Sequence, residues 1–133
     1  MRNPLPPVPL TLAFINYINH GNLPGLVSLM SAEHSLRVFD EAPLTGRDEN
    51  ERAWAGYFGA FPSYVIYPHR IAEGPHGVVA VLGHTTGSHL GLADDEESRL
   101  TLIWVAKCRH GAISDWTLVE DTPVNRERYG LGA

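Results

Sequence analysis

Apolar residues recur at Leu10, Phe14, Tyr17 and Ile18, the three-four spacing that places side chains on one face of a helix. This spacing predicts a helix from about Leu10 to His20, with Gly21 as its stop. Asn22 is suited to cap a second, shorter helix in which Leu23, Leu26, Val27 and Met30 share a side; Pro24 then falls in the first turn, where no backbone donor is needed. From Leu36 to Asp40 the period changes to two, which predicts a strand ended by Pro43. Asp48, Glu49 and Glu51 precede a stripe of Trp54, Tyr57, Phe58 and Phe61, acids at the positive end of a third helix followed by an aromatic face. Gly56 and Gly59 in that helix are expected to allow close approach to a sheet, and Pro62 to end it. Ser63 to Ala72, Gly77 to His89, Arg99 to Arg109 and Ala112 to Asp121 are four long strands rich in Val, Ile, Tyr, Trp and Thr. The short turns between them predict an antiparallel meander. Helices followed by strands define an α+β domain, and so long a sheet must curl around its helices, leaving a cavity.

Ahead of the first helix, residues 1–9 hold four of the ten prolines, so an extended Pro-rich arm is expected there and a single domain over 10–133. The 133 residues suffice for one core. A net charge of −5 with ten scattered Lys and Arg gives no basic stripe for a phosphate backbone, which argues against nucleic acid. The longest apolar run, Val78 to Gly83, falls far short of the roughly 20 residues that span a bilayer, so no membrane partner is expected. A lone Cys108 and the lack of an export signal suit the cytoplasm.

Several phrases, in this order, resemble the nuclear transport factor 2-like superfamily and in particular its SnoaL-like, polyketide cyclase-like branch. They are Asn19-His20-Gly21-Asn22-Leu23-Pro24-Gly25-Leu26, Thr45-Gly46-Arg47-Asp48, Thr86-Gly87-Ser88-His89-Leu90-Gly91, and Gly111 to Trp116 with Glu120-Asp121. The likeness covers about residues 10–122. It implies a cone-shaped, cystatin-like fold: a curved antiparallel sheet of about five to six strands wrapped around three N-terminal helices. It is a poor guide to chemistry, since the superfamily hosts isomerases, cyclases, dehydratases, epoxide hydrolases and binding modules. The steroid isomerases of the superfamily place a tyrosine and two acids where this chain has Phe14, Val38 and Ile103 or Trp104, which rejects their chemistry with the same residues. Tyr17 and Asp40 are the displaced substitutes.

By the same resemblance His89 and Asp121 match a histidine and a strand-end aspartate with acid and base roles. A carboxylate at an apolar pocket is poorly solvated when charged, so its pKa should rise into a useful range. Capping or surface roles compete for both residues. Glu120 competes with Asp121 for the inward position, because neighbouring strand residues face opposite ways. Phe14, Tyr17, Ile18, Met30, Val38, Asp40, Trp54, Phe58, Trp104, Trp116 and Glu120 are the candidate pocket lining, with the aromatics read first as core. Arg70 shares parity with Tyr64 and Ile66 and could meet an anionic group, a solvated face being the plainer reading. Asp94 to Glu97 read as a solvated loop. The seven histidines show no three-ligand spacing, and His84 and His89, five apart, fall on opposite strand faces. No metal is expected. No phosphate loop or dinucleotide fingerprint is present, so no cofactor is expected.

These features suggest a pocket for a small apolar organic ligand and cofactor-independent proton transfer on a carbonyl compound, by isomerisation, cyclisation or dehydration. The alternative is a non-catalytic binding or dimerisation module. Arg99, Thr101, Ile103 and Val105 make one strand side apolar enough to pair two copies through the convex face.

Overall fold

The computed structural model describes residues 4–132; Met1, Arg2, Asn3 and Ala133, which the arm and domain expectations include, lie outside them. Helices α1 (Pro7–Asn19) and α2 (Leu23–Ser28) precede β1 (Met30–Val38) and the two-residue β2 (Leu44–Thr45). Helix α3 (Arg47–Ala60) leads to β3 (Val65–Glu73) and β4 (Val78–Thr86), then the single turn α4 (Asp94–Glu97). Strands β5 (Leu102–Arg109) and β6 (Ala112–Glu120) and helix α5 (Pro123–Arg128) complete the chain.

The first helix starts three residues before Leu10, so Pro7 to Pro9 are not part of an extended arm. Prolines are tolerated there because the first-turn N–H groups have no intrahelical acceptor and their φ is already helical. Asn22 caps α2 as expected, its side chain accepting from the Gly25 N–H at 3.0 Å. That helix ends at Ser28, which puts Met30 at the start of β1.

The six strands form one curved, open sheet in the order β2-β1-β6-β5-β4-β3. Strands β3 to β6 make the expected meander, but β1 pairs with β6 in parallel, so the sheet is not wholly antiparallel. The chain enters β1 from the hairpin of α1 and α2 and meets β6 only after the whole meander, a crossover that local periodicity does not encode.

Alternation assigns the two faces. Val79, Val81, Trp104, Ala106, Ile113 and Trp116 join Phe14 and Ile18 of α1 in the main core on the concave side. Ala80, Leu82, Ile103 and Val105 form a second cluster on the other side, where Leu131 and Tyr129 cover them. The apolar side expected to pair two copies is thus covered over Ile103 and Val105 by the chain's own C-terminal segment. Double coverage explains why β4 is apolar without alternation from Val79 to Leu82. Helix α1 packs across β3, β4, β5 and β6, whereas α3 packs on β1 and β2. Gly56 and Gly59 face open space and not the sheet, since the helix buries the opposite side through Asn50 and Trp54.

Candidate functional site

Helix α1 fills most of the concave face, and a cavity remains where it gives way to α3. Leu36 and Val38 of β1 and Trp116 and Leu118 of β6 lie opposite each other in register and form one wall. Ala53, Trp54 and Tyr57 of α3 form the other, and Tyr64 and His89 close one end. The cavity holds about 170 Å³, the scale of an engineered apolar cavity of about 150 Å³ that accepts benzene. Trp54, Tyr64 and Trp116 are buried in its floor, while His89 and Ala53 are exposed at its rim.

Of the residues expected to line a pocket, Val38, Trp54 and Trp116 do so, and His89 joins them. Phe14, Ile18, Met30 and Trp104 are wholly buried in the main core instead, because α1 seals the part of the sheet that carries Trp104. Tyr17 packs its ring over Gly25, where a side chain would collide with it. Phe58 stands behind Trp54, ring centroids 5.4 Å apart. Asp40 and Glu120 are exposed and share a separate shallow depression with Asn125.

Asp121 is also outside the cavity, in a depression with Thr122, Pro123 and Arg126. Arg126 donates to both of its oxygens, Nε to Oδ1 at 2.6 Å and Nη2 to Oδ2 at 2.8 Å, and the Thr101 hydroxyl donates to Oδ2. Those bonds, from Arg126 above all, hold its pKa down at about 2. The raised pKa expected of a catalytic acid is therefore reversed: Asp121 is ionised at neutral pH and ties α5 to the residue before β5.

His89 is brought in by the turn after β4. Gly87 there has φ +69°, and a Cβ on it would lie 2.4 Å from the Ser63 carbonyl oxygen, so only glycine lets this turn press against the residue preceding Tyr64. The imidazole Nδ1 of His89 sits 2.9 Å from the Tyr57 hydroxyl, and the His89 backbone N–H donates to the same oxygen at 3.3 Å. With Nδ1–H donating to Tyr57, Nε2 is a free base; with the phenol donating, Nε2 carries the hydrogen.

Tyr64 meets Tyr57 edge to face at 5.0 Å and 81°. Its hydroxyl has no hydrogen-bond partner among the described residues, and burial first, then Tyr57 and Glu97, push its pKa well above the ordinary phenol value. Tyr57 is shifted the same way, mainly by burial. Both therefore stay protonated donors at neutral pH.

The acidic run is not a solvated loop. It forms α4, and Glu97 is 1% exposed. The Thr85 hydroxyl donates to its Oε2, and the Ser88 N–H reaches Oε1 at 3.4 Å. A buried carboxylate thus anchors the turn that presents His89. Tyr57, Tyr64 and Glu97 were not singled out by sequence as site residues. Tyr57 was visible only as one ring of a stripe, and nothing separates Glu97 from the acids beside it.

Arg70 turns the other way, donating to the Leu131 carbonyl at 3.0 Å. The register of β3 slips between Pro68 and Arg70, and one extra residue moves every later side chain to the opposite face. Among the described residues no group of three His, Cys, Asp or Glu is placed to hold a metal, and no helix is long and apolar enough to cross a membrane.

The fold is α+β, a curved, open six-stranded sheet packed on helices, with an apolar cavity walled by β1, β6 and α3. Residues 11–116 match the family model of the SnoaL-like domain, and the chain belongs to that family. No curated protein matches the sequence. Among solved structures, an uncharacterised cystatin-fold protein from Novosphingobium aromaticivorans is similar with a TM-score of 0.74 at 14% identity, over 87% of this chain and 99% of the other. An NTF2-like protein of unknown function from Burkholderia pseudomallei is similar with a TM-score of 0.70 at 16% identity, over 97% and 98%. SalBIII, an epoxide hydrolase/cyclase-like enzyme in pyran ring formation in the polyether salinomycin, is similar with a TM-score of 0.69 at 13% identity, over 85% and 88%. These likenesses show the fold.

Proposed function

We propose that the cavity takes a small apolar carbonyl compound, about one ring in size, and moves a proton on it without a cofactor, giving isomerisation, cyclisation or dehydration. The observation that carries this reading is the pairing of a histidine held by Tyr57 with the unpartnered Tyr64 phenol on one apolar cavity. His89 removes the proton beside the carbonyl, Tyr64 donates to the carbonyl oxygen as charge gathers there, and His89 returns the proton at another atom. The low-polarity walls strengthen both interactions. Asp121 has no part in it. The reading keeps a cytoplasmic setting, in which Cys108 stays a thiol. It also keeps a homodimer through whatever part of the convex face the C-terminal segment leaves free, which light scattering checks.

The test offers single-ring cyclic enones in deuterium oxide and follows deuterium uptake beside the carbonyl by mass spectrometry. Wild type should exchange, His89→Asn should not, and Tyr64→Phe should be slower by about 10²–10³-fold, the worth of one oxyanion donor. Binding of the same compounds with no exchange by wild type would instead make the protein a passive carrier.

A further inference from the structure

On the outer face of β3 and β4, away from the cavity, Nε2 of His69 lies 2.7 Å from Nδ1 of His84. We propose that these two nitrogens are the protein ligands of a surface site for one divalent transition-metal ion of the kind that favours imidazole, with water completing the coordination. Two features of the structure build the site.

The first is the slip in β3. Tyr67 pairs with His84 and Arg70 with Leu82, so His69 is the extra residue of the irregularity, and the bulge turns it to the side where His84 projects. A regular strand would point His69 and Arg70 to opposite faces, whereas here both face outward. The second is the support of His84. The Tyr67 ring stacks on its imidazole at 4.6 Å and 11°, and the Thr86 hydroxyl donates to the Tyr67 oxygen at 3.3 Å. The ring that offers Nδ1 is thereby fixed before any ligand arrives.

Imidazole nitrogens bind zinc at about 2.0–2.1 Å, which sets two of them roughly 2.9–3.4 Å apart. The observed pair needs to open by only a few tenths of an ångström, and His69 is exposed and free to do so. Zinc, nickel and copper suit such nitrogen donors; calcium and magnesium do not.

Zinc chloride titrated into the untagged full chain at pH 7.5 is the test, read by calorimetry. One ion per chain is expected. His69→Ala and His84→Ala should each weaken it by more than about tenfold, as loss of support alone does at metal sites, while His76→Ala should leave it unchanged. The folded state of each variant is checked by circular dichroism, and the exposed His69 provides the variant least able to disturb the fold. Nickel should broaden the amide signals around residues 69 and 84 in nuclear magnetic resonance spectra. Absence of zinc binding by wild type, or equal binding by His69→Ala, would overturn the proposal.

Discussion

Gly87 lies so close to Ser63 that any side chain on it would sit 2.4 Å from the Ser63 carbonyl oxygen. The contact joins the exit of β4 to the entry of β3, and with it His89 to the two tyrosines. Gly87→Ala forces a left-handed backbone on alanine and a collision on the strand. It should cost about 2–5 kcal/mol, the sum of the conformational and overpacking penalties. Urea melts measure that loss, and a structure of the variant should show His89 withdrawn from Tyr57.

Tyr57→Phe keeps the ring contacts with Trp54 and Tyr64 but removes the oxygen that His89 meets with both its ring and its backbone N–H. The fold should lose about 1 kcal/mol, the net worth of an ordinary hydrogen bond. The His89 imidazole should change its tautomer balance, which long-range nitrogen-proton spectra read directly. An unchanged spectrum would remove Tyr57 from the role of orienting His89.

The turn-bounded runs rich in Val, Ile, Tyr, Trp and Thr after Ser63, the spacing from Leu10 to Ile18 and the stripe from Trp54 to Phe61 were enough to place the meander and its helices. Periodicity reports which face a residue takes as long as the count is unbroken. It lost Arg70 at the slip beside His69 and could not show β1 joining β6 in parallel. His89 and Val38 were named from the family resemblance, and Trp54 and Trp116 from the aromatic residues of a helix and a strand; all four line the cavity. The pattern missed Glu97, whose burial depends on Thr85 in β4, and the resemblance put Asp121 at the pocket, whereas its partner Arg126 lies in a helix that the pattern did not predict.

His34 is wholly buried and bonds through Nδ1 to the Ile113 carbonyl at 2.7 Å. Its Nε2 has no hydrogen-bond partner among the described residues, and burial lowers its pKa. The unfolded chain therefore takes up a proton at this residue before the folded one does. Its contribution to stability is complete above the unfolded value of about 6.5 and is lost as pH falls from there through the lowered folded value. Urea melts from pH 7.5 to 5 should show stability falling with acid, and His34→Gln should flatten that slope while costing stability at pH 7.5. An equal slope in both proteins would assign the acid sensitivity elsewhere.

Asp121 separates structure from chemistry. Its carboxylate accepts from Arg126 and Thr101 in a depression separate from the cavity, so Asp121→Asn should leave proton exchange in the cavity at the wild-type rate. Stability should fall by about 1–2 kcal/mol at pH 7, the range for hydrogen bonds to a charged group discounted for partial exposure. The sign follows from a folded pKa of about 2 beneath an unfolded value of about 3.9. The stabilisation is fully present above the unfolded value and disappears as pH drops through the folded one. The gap between wild type and Asp121→Asn should accordingly be constant from pH 7 to about 5 and shrink between about pH 4 and 2. Arg126→Gln should also lower stability, and the double variant should add little to either single change, because both break one pair. Exchange abolished in Asp121→Asn with stability intact would return the residue to the chemistry and displace Tyr64 from it.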